Sequence, residues 1–296
     1  MTLFDVPLMV IVSQAVIGIA LGMIYVLLAL GLSLVFGLLG VVNFAHGSFY
    51  MLGACMAFSL VTATNSFWIC LLFAPLLVGV VGFGAERTLL RPLYVRGGDD
   101  PMLLTFGLSL VFIEAARLIW GNAALPFETP ALLSGNVKMG MTYLPTYRIF
   151  VIVITAVIVG VLWVVLRGTN FGLIVRAGTN DPLMVRALGV DLGNVWSWVF
   201  AAGCVLAGLA GVLAAPMRRV FAEMGLTIII ESFVVVVVGG MGSLSGALVA
   251  GLLIGEVASL TALFAPKMAD IVIFIVMAVV LMLRPRGLLG EPGLME

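Results

Sequence analysis

The only histidine in the chain, His46, lies in the stretch VVNFAHGSFYMLGA, residues 41–54, three residues after Asn43 and directly before Gly47. An imidazole titrates near neutrality and is a common metal ligand. A zinc site needs three or four His, Cys or carboxylate groups together. The chain has no second histidine, and no cysteine or carboxylate stands at ligand spacing from the first. The stretch therefore reads in two ways. Asn43 and His46 can satisfy backbone groups freed where a helix breaks between Gly40 and Gly47, or they can line a polar path. No metal or cofactor is expected.

Few other residues can do chemistry. Glu114 and Arg117 are three apart, a spacing that lets them pair on one helix face. Glu256 stands in the middle of an apolar run, and Glu231 near the start of a shorter one. Charges in such surroundings face a protein interior or an aqueous cavity. Cys55, Cys70 and Cys204 are widely spaced within apolar segments and read as small core residues. The two lysines, Lys138 and Lys267, are each followed by methionine, so no phosphate-binding GxxxxGK[ST] loop exists in this chain. No HExxH, CxxC or GxSxG occurs either. Formal net charge is zero, which gives no reason to expect a nucleic-acid partner.

The elements that must position these groups are apolar helices. Of 296 residues, 63% are hydrophobic and 9% charged, and mean hydropathy is +1.29. Soluble domains carry about 25% charged residues. Long runs without alternation, such as 8–36 and 147–166, suit spans of about 20 residues rather than barrel strands. The first run has no basic flank and is too long for a removable signal. Candidate spans are 10–36, 47–64, 67–84, 103–121, 148–166, 195–215, 227–240, 244–264 and 269–283. The fold class is all-α: a polytopic helical membrane protein with about eight transmembrane helices, within a range of eight to ten.

Basic residues in short loops favour the cytoplasmic side. That places Arg87, Arg91 and Arg96, then Arg167, Arg176 and Arg186, then Arg284 and Arg286 inside, and the loop of residues 121–145 outside. Arg218 and Arg219 fall outside by parity, against the rule. Either the segment 216–230 re-enters the membrane or the count there is wrong. Gly18 with Gly22, and Gly251 with Gly255, have GxxxG spacing, which suits close helix packing in lipid.

Within the second basic loop, TNDPLMVRALGVD reads as a short helix. Asn180 or Asp181 can cap it, Pro182 suits its first turn, and Gly189 stops it. Leu183, Met184, Ala187 and Leu188 give it an apolar surface beside Arg186. It is too short to span, so it lies against the bilayer or docks a cytoplasmic protein.

Several motifs in order carry a family resemblance: GMIYVLLALGLSLVFGLLGVVNFAHGSFYMLGA (22–54), ERTLLRPL (86–93), LLTFGLS (103–109), FGLIVRAGTNDPLMVRALGVD (171–191), LAGLAGVLAAP (206–216), VVVVGGMGSLSGALVAGLLIGEV (235–257) and RPRGLLG (284–290). The chain resembles the LivH-type permease subunits of branched-chain amino acid ABC importers over essentially its whole length. Permeases for urea or short amides are close relatives, often with NMAHG where this chain has NFAHG. It departs from the family at Ser48, where glutamate often stands, and around Thr179, where more polar residues are usual.

The resemblance implies a single transmembrane permease domain over 1–296 with a coupling loop at about 167–193, in the bacterial inner membrane. It implies a second homologous permease, two cytoplasmic ATPase subunits and a periplasmic binding protein as partners. Gly168, Arg176, Ala177, Asp181, Arg186, Ala187, Leu188 and Gly189 are the implied contacts to the ATPase. Asn43, His46, Gly47, Gly239, Gly240, Gly242 and Glu256 are the candidates for the helix breaks or the translocation path, since broken helix ends can bind a substrate carboxylate. Two other functions fit the composition alone. They are an ion-coupled secondary carrier using a buried carboxylate such as Glu256, and a membrane scaffold that transports nothing.

Overall fold

The computed structural model describes residues 8–94, 99–139 and 142–290. Arg96, expected in an inside loop, lies outside the described residues. Among the described residues eleven α-helices follow in order: α1 (Leu8–Leu39), α2 (His46–Thr64), α3 (Phe67–Ala85), α4 (Asp100–Trp120), α5 (Thr146–Gly168), α6 (Asn170–Asn180), α7 (Pro182–Ala187), α8 (Leu192–Ala214), α9 (Met224–Gly239), α10 (Leu244–Phe264) and α11 (Ala269–Leu283). Among the described residues, eight helical segments are long and apolar enough to cross a membrane. The expected spans reappear within a few residues at either end. The long first run is one helix of 32 residues.

Three segments depart from the expectation. The connection after span 67–84 begins as helix: α3 runs on through a π turn (Glu86–Leu90) and a 3-10 turn (Arg91–Leu93). The 121–145 loop holds a hairpin of β1 (Asn136–Met139) and β2 (Thr142–Pro145), antiparallel, with Val137 opposite Leu144. The second basic loop holds a further helix, α6, ahead of the expected short helix α7.

Arg218 and Arg219 lie between α8 and α9. The Leu125 N–H donates to the Val220 carbonyl at 2.8 Å, so this segment lies at the same end as the 121–127 loop. Parity is kept at Val220, and the chain then runs inward, since by Gly225 it packs on Gly47 at the start of α2. The helix that follows is short: α9 has 16 residues, about 24 Å at 1.5 Å per residue.

The chain divides into two compact units. One comprises 1–29, 128–157 and 231–296; the other comprises 30–127 and 158–230. Helices α1, α5 and α9 each contribute residues to both.

In the second unit, α2 and α4 run parallel. The Phe44 N–H donates to Thr105 Oγ1 at 3.2 Å, Ser48 Oγ to the Ser109 carbonyl at 3.3 Å, and Trp120 Nε1 to Ser59 Oγ at 2.7 Å. Each pair has the same sequence offset, 61 residues. In the first unit, α1 and α10 run antiparallel. Gln14 Nε2 donates to the Ser259 carbonyl and Ser259 Oγ to the Gln14 carbonyl, both at 2.8 Å. One turn on, a β-carbon at Gly255 would lie 2.7 Å from the Gly18 carbonyl oxygen, and one at Gly22 2.9 Å from the Gly251 carbonyl oxygen. The two GxxxG stretches therefore face each other, as close packing in lipid requires.

Candidate functional site

The break between α1 and α2 is built from Asn43 outward. A helix that starts inside apolar surroundings leaves its first N–H groups without partners. Asn43 Oδ1 accepts the Ala45 N–H at 3.0 Å, and the Asn43 carbonyl accepts the His46 N–H at 3.3 Å. Thr105 on α4 adds one more partner at the break: its hydroxyl takes the Phe44 N–H and lies 2.9 Å from the Met102 carbonyl. Asn43, His46 and Ser48 are all buried. Gly47 packs backbone against backbone on Gly225, where a β-carbon would lie 2.5 Å from the Gly47 carbonyl oxygen. The His46 ring lies over Gly31, where a β-carbon would meet Cε1 at 2.9 Å.

The second break, between α9 and α10, is held differently. Gly240 and Gly242 have φ of +104° and +80°, and Ser243 caps α10 by accepting the Gly246 N–H at 3.1 Å. The chain after α11 closes over it. The Leu288 N–H donates to the Val238 carbonyl at 2.8 Å, and the Leu289 N–H to the Gly239 carbonyl at 3.0 Å. RPRGLLG thus supplies the donors for the end of α9. Glu256 belongs to neither break. Its carboxylate lies against Gly18 on α1, 2.7 Å from where a β-carbon there would stand.

The basic end of the second unit carries α6 and α7. Thr169 caps α6 by accepting the Gly172 N–H at 3.2 Å, and Arg176 and Ala177 lie on this helix. Asp181, rather than Asn180, caps α7 by accepting the Met184 N–H at 2.9 Å. Gly189 has φ +85°, a conformation costly for residues with a side chain, and its N–H donates to the Arg186 carbonyl at 2.9 Å. The stop expected at Gly189 is there. Val185 is buried, while Leu183 and Leu188 are each 76% exposed and Met184 is exposed beside them. Arg186 stacks over the Trp196 ring at 5.0 Å, tying α7 to α8.

Two polar clusters were not legible in the sequence. At the opposite end, Arg117 pairs with Glu114, as its spacing suggested, but also with Glu223, whose Oε1 accepts from Arg117 Nε at 3.0 Å. That hydrogen bond is the main reason the Glu223 carboxyl is held below the usual carboxylate range. At the basic end, Glu86 is fully buried and accepts a hydrogen bond from Ser197 on α8. Beside it stands Tyr94, whose hydroxyl is pushed up chiefly by burial and then by the Glu86 charge, so it stays protonated at neutral pH. Sequence separations of 106 and 111 residues hide such pairs.

Comparison with known proteins meets this geometry. The family described as "Branched-chain amino acid transport system / permease component" matches residues 14–281. The chain is 31% identical to the high-affinity branched-chain amino acid transport system permease protein BraD of Pseudomonas aeruginosa, over 95% of this chain and 96% of the relative. It is 28% identical to the LivH permease protein of Escherichia coli K12, over 93% of this chain and 94% of the relative. It is also 28% identical to the LivM permease protein of that organism, over 82% of this chain and 63% of the relative. No solved structure matches. With the match running from within α1 to within α11, the chain is a multi-pass membrane protein belonging to the branched-chain amino acid transport permease family.

Proposed function

We propose that this protein is a membrane-spanning permease subunit of an ATP-driven importer for branched-chain amino acids, set in a bacterial inner membrane. It is not an enzyme: ATP hydrolysis belongs to two partner ATPases, and a periplasmic binding protein delivers the substrate. A second, homologous permease completes the path, a pairing supported by the similarity to both LivH and LivM proteins. Residues 1–296 act as one permease domain whose coupling segment is 167–193.

The observation that carries the reading is the α6–α7 element. It is capped at Thr169 and Asp181, stopped at Gly189, and turns Leu183, Met184 and Leu188 outward. An exposed apolar cluster on a short rigid helix is a docking surface. Gly168, Arg176, Ala177, Asp181, Arg186, Ala187, Leu188 and Gly189 frame it, and Arg186 on Trp196 passes motion of α7 to α8. Asn43, His46 and Gly47, with Gly239, Gly240 and Gly242, form the breaks that bend as access alternates. Glu256 supplies a carboxylate inside the membrane, where an amino acid's ammonium group needs a counter-charge.

The test is reconstitution with the second permease, the ATPases and the binding protein in proteoliposomes. Uptake of leucine, isoleucine or valine that requires ATP is the expected result. Uptake driven by an ion gradient without ATP, or preference for urea or amides, sinks the reading.

A further inference from the structure

At the basic end of the second unit, a cleft of about 460 Å³ is lined by Arg91, Tyr94, Arg186, Asp191, Gly193 and Trp196. Two guanidinium groups reach it from different elements, Arg91 from the 3-10 turn after α3 and Arg186 from α7. The Arg91 head lies flat over Gly193, where a β-carbon would meet its central carbon at 2.8 Å. Among the described residues its ion-pair partner is Asp191, 3.8 Å away. Asp191 is already engaged, accepting from the Asn194 N–H at 3.3 Å and the Asn194 side-chain amide at 2.6 Å. Trp196 forms part of the wall, with its Nε1 buried away from the open space. The lining charges are two positive and one negative. The Glu86 carboxylate stands behind the wall, engaged by Ser197.

Two arginines, with the one lining carboxylate held by Asn194, form a donor set for an anion with several oxygens. A phosphate group fits that description. Its surroundings favour one source. Tyr94 and Trp196 meet edge to face at 5.8 Å, and these two residue types are enriched at membrane–water interfaces. Arg87 lies over the Phe83 ring at 5.8 Å, Phe83 lies on Trp198 at 5.1 Å, and Trp198 and Leu89 are exposed. An apolar surface fit for acyl chains thus lies along the adjoining faces of α3 and α8. Basic pockets between spans on the cytoplasmic side take anionic headgroups. We infer that the Arg91–Arg186–Trp196 cleft binds the phosphate group of an anionic phospholipid, bridging the coupling helix α7 to the end of α3. The coupling element would then require an anionic lipid at its root.

The test compares the full chain in lipid nanodiscs of phosphatidylcholine with and without phosphatidylglycerol, counting retained lipid by native mass spectrometry. Arg91→Gln should lower phosphatidylglycerol retention about fivefold, roughly the contribution of one basic side chain near an anionic surface. Arg186→Gln removes the second guanidinium and should also lower retention. Asp191→Asn removes the repelling charge and should raise it. A separate arm adds inorganic phosphate alone. If phosphate protects the protein against heat in phosphatidylcholine discs while phosphatidylglycerol retention is unaffected by all three substitutions, the site takes a soluble anion and the lipid assignment fails. If the substitutions change neither arm, the cleft is not an anion site.

Discussion

Gly47 and Gly225 meet backbone to backbone, so that a β-carbon on Gly225 would lie 2.5 Å from the Gly47 carbonyl oxygen. The start of α2 and the start of α9 are thereby locked at a point with no room for a methyl group. Gly47→Ala and Gly225→Ala should each cost about 1–3 kcal/mol, the usual cost of overpacking. Gly107 and Gly160 also lie within helices, but a β-carbon at either meets nothing within 4 Å. Gly107→Ala and Gly160→Ala should be neutral or stabilising by up to about 1 kcal/mol. Thermal unfolding in detergent separates the two classes, and equal destabilisation of both would remove the argument from close approach.

Gln14 and Ser259 exchange hydrogen bonds across α1 and α10. Each side chain donates to the other residue's backbone carbonyl, which an alanine keeps, so Gln14→Ala and Ser259→Ala should each cost about 0.6 kcal/mol, typical of polar contacts between membrane helices, and the two costs should add. No loss of thermal stability in either variant would mean that the glycine faces, not the polar contacts, hold the helices.

The Arg117–Glu223 pair sets a pH dependence whose sign is fixed. The carboxyl of Glu223 is held below its ordinary value by the Arg117 hydrogen bond, so its contribution to stability is fully present above the usual glutamate pKa of about 4.3. It is lost as pH falls through the depressed value. The melting-temperature gap between the protein and Glu223→Gln should be constant from neutral pH to about pH 5 and close below about pH 4. A gap that widens toward low pH would reverse the assignment.

Leu183 and Leu188 turn outward from α7 and its C-terminus. Replacing both by aspartate should leave the fold intact, since neither is buried. Affinity for the proposed ATPase subunits should fall about thirtyfold or more, the effect of removing one anchor worth about 2 kcal/mol. Pull-down of the ATPase by the tagged permease reads this directly; undiminished capture would move the docking surface elsewhere.

Helix positions and the α7 boundaries were legible because apolar run length and cap chemistry are local. Asp181, Pro182 and Gly189 act within a few residues of themselves, and the structure uses each as its type suggests. The GxxxG stretches were legible as packing surfaces but not as partners, since spacing within α1 says nothing of which helix faces it. Thr105 at the first break, Glu223 beside Arg117 and Glu86 beneath Ser197 were not legible. Each depends on a contact made only once distant helices are packed. The connection after 84 was misjudged for a related reason. Its charges look like those of a solvated loop, yet Glu86 is buried against α8, and the helix continues to protect it.

The constant offset of 61 residues along α2 and α4 has a mechanical meaning. Three cross-links at one offset, spread from Phe44 to Ser59, fix two parallel rods against sliding at both ends. In the proposed alternating-access cycle these rods swing together as one lever, and the flexing occurs at its ends. One of those ends is the turn around Asn43.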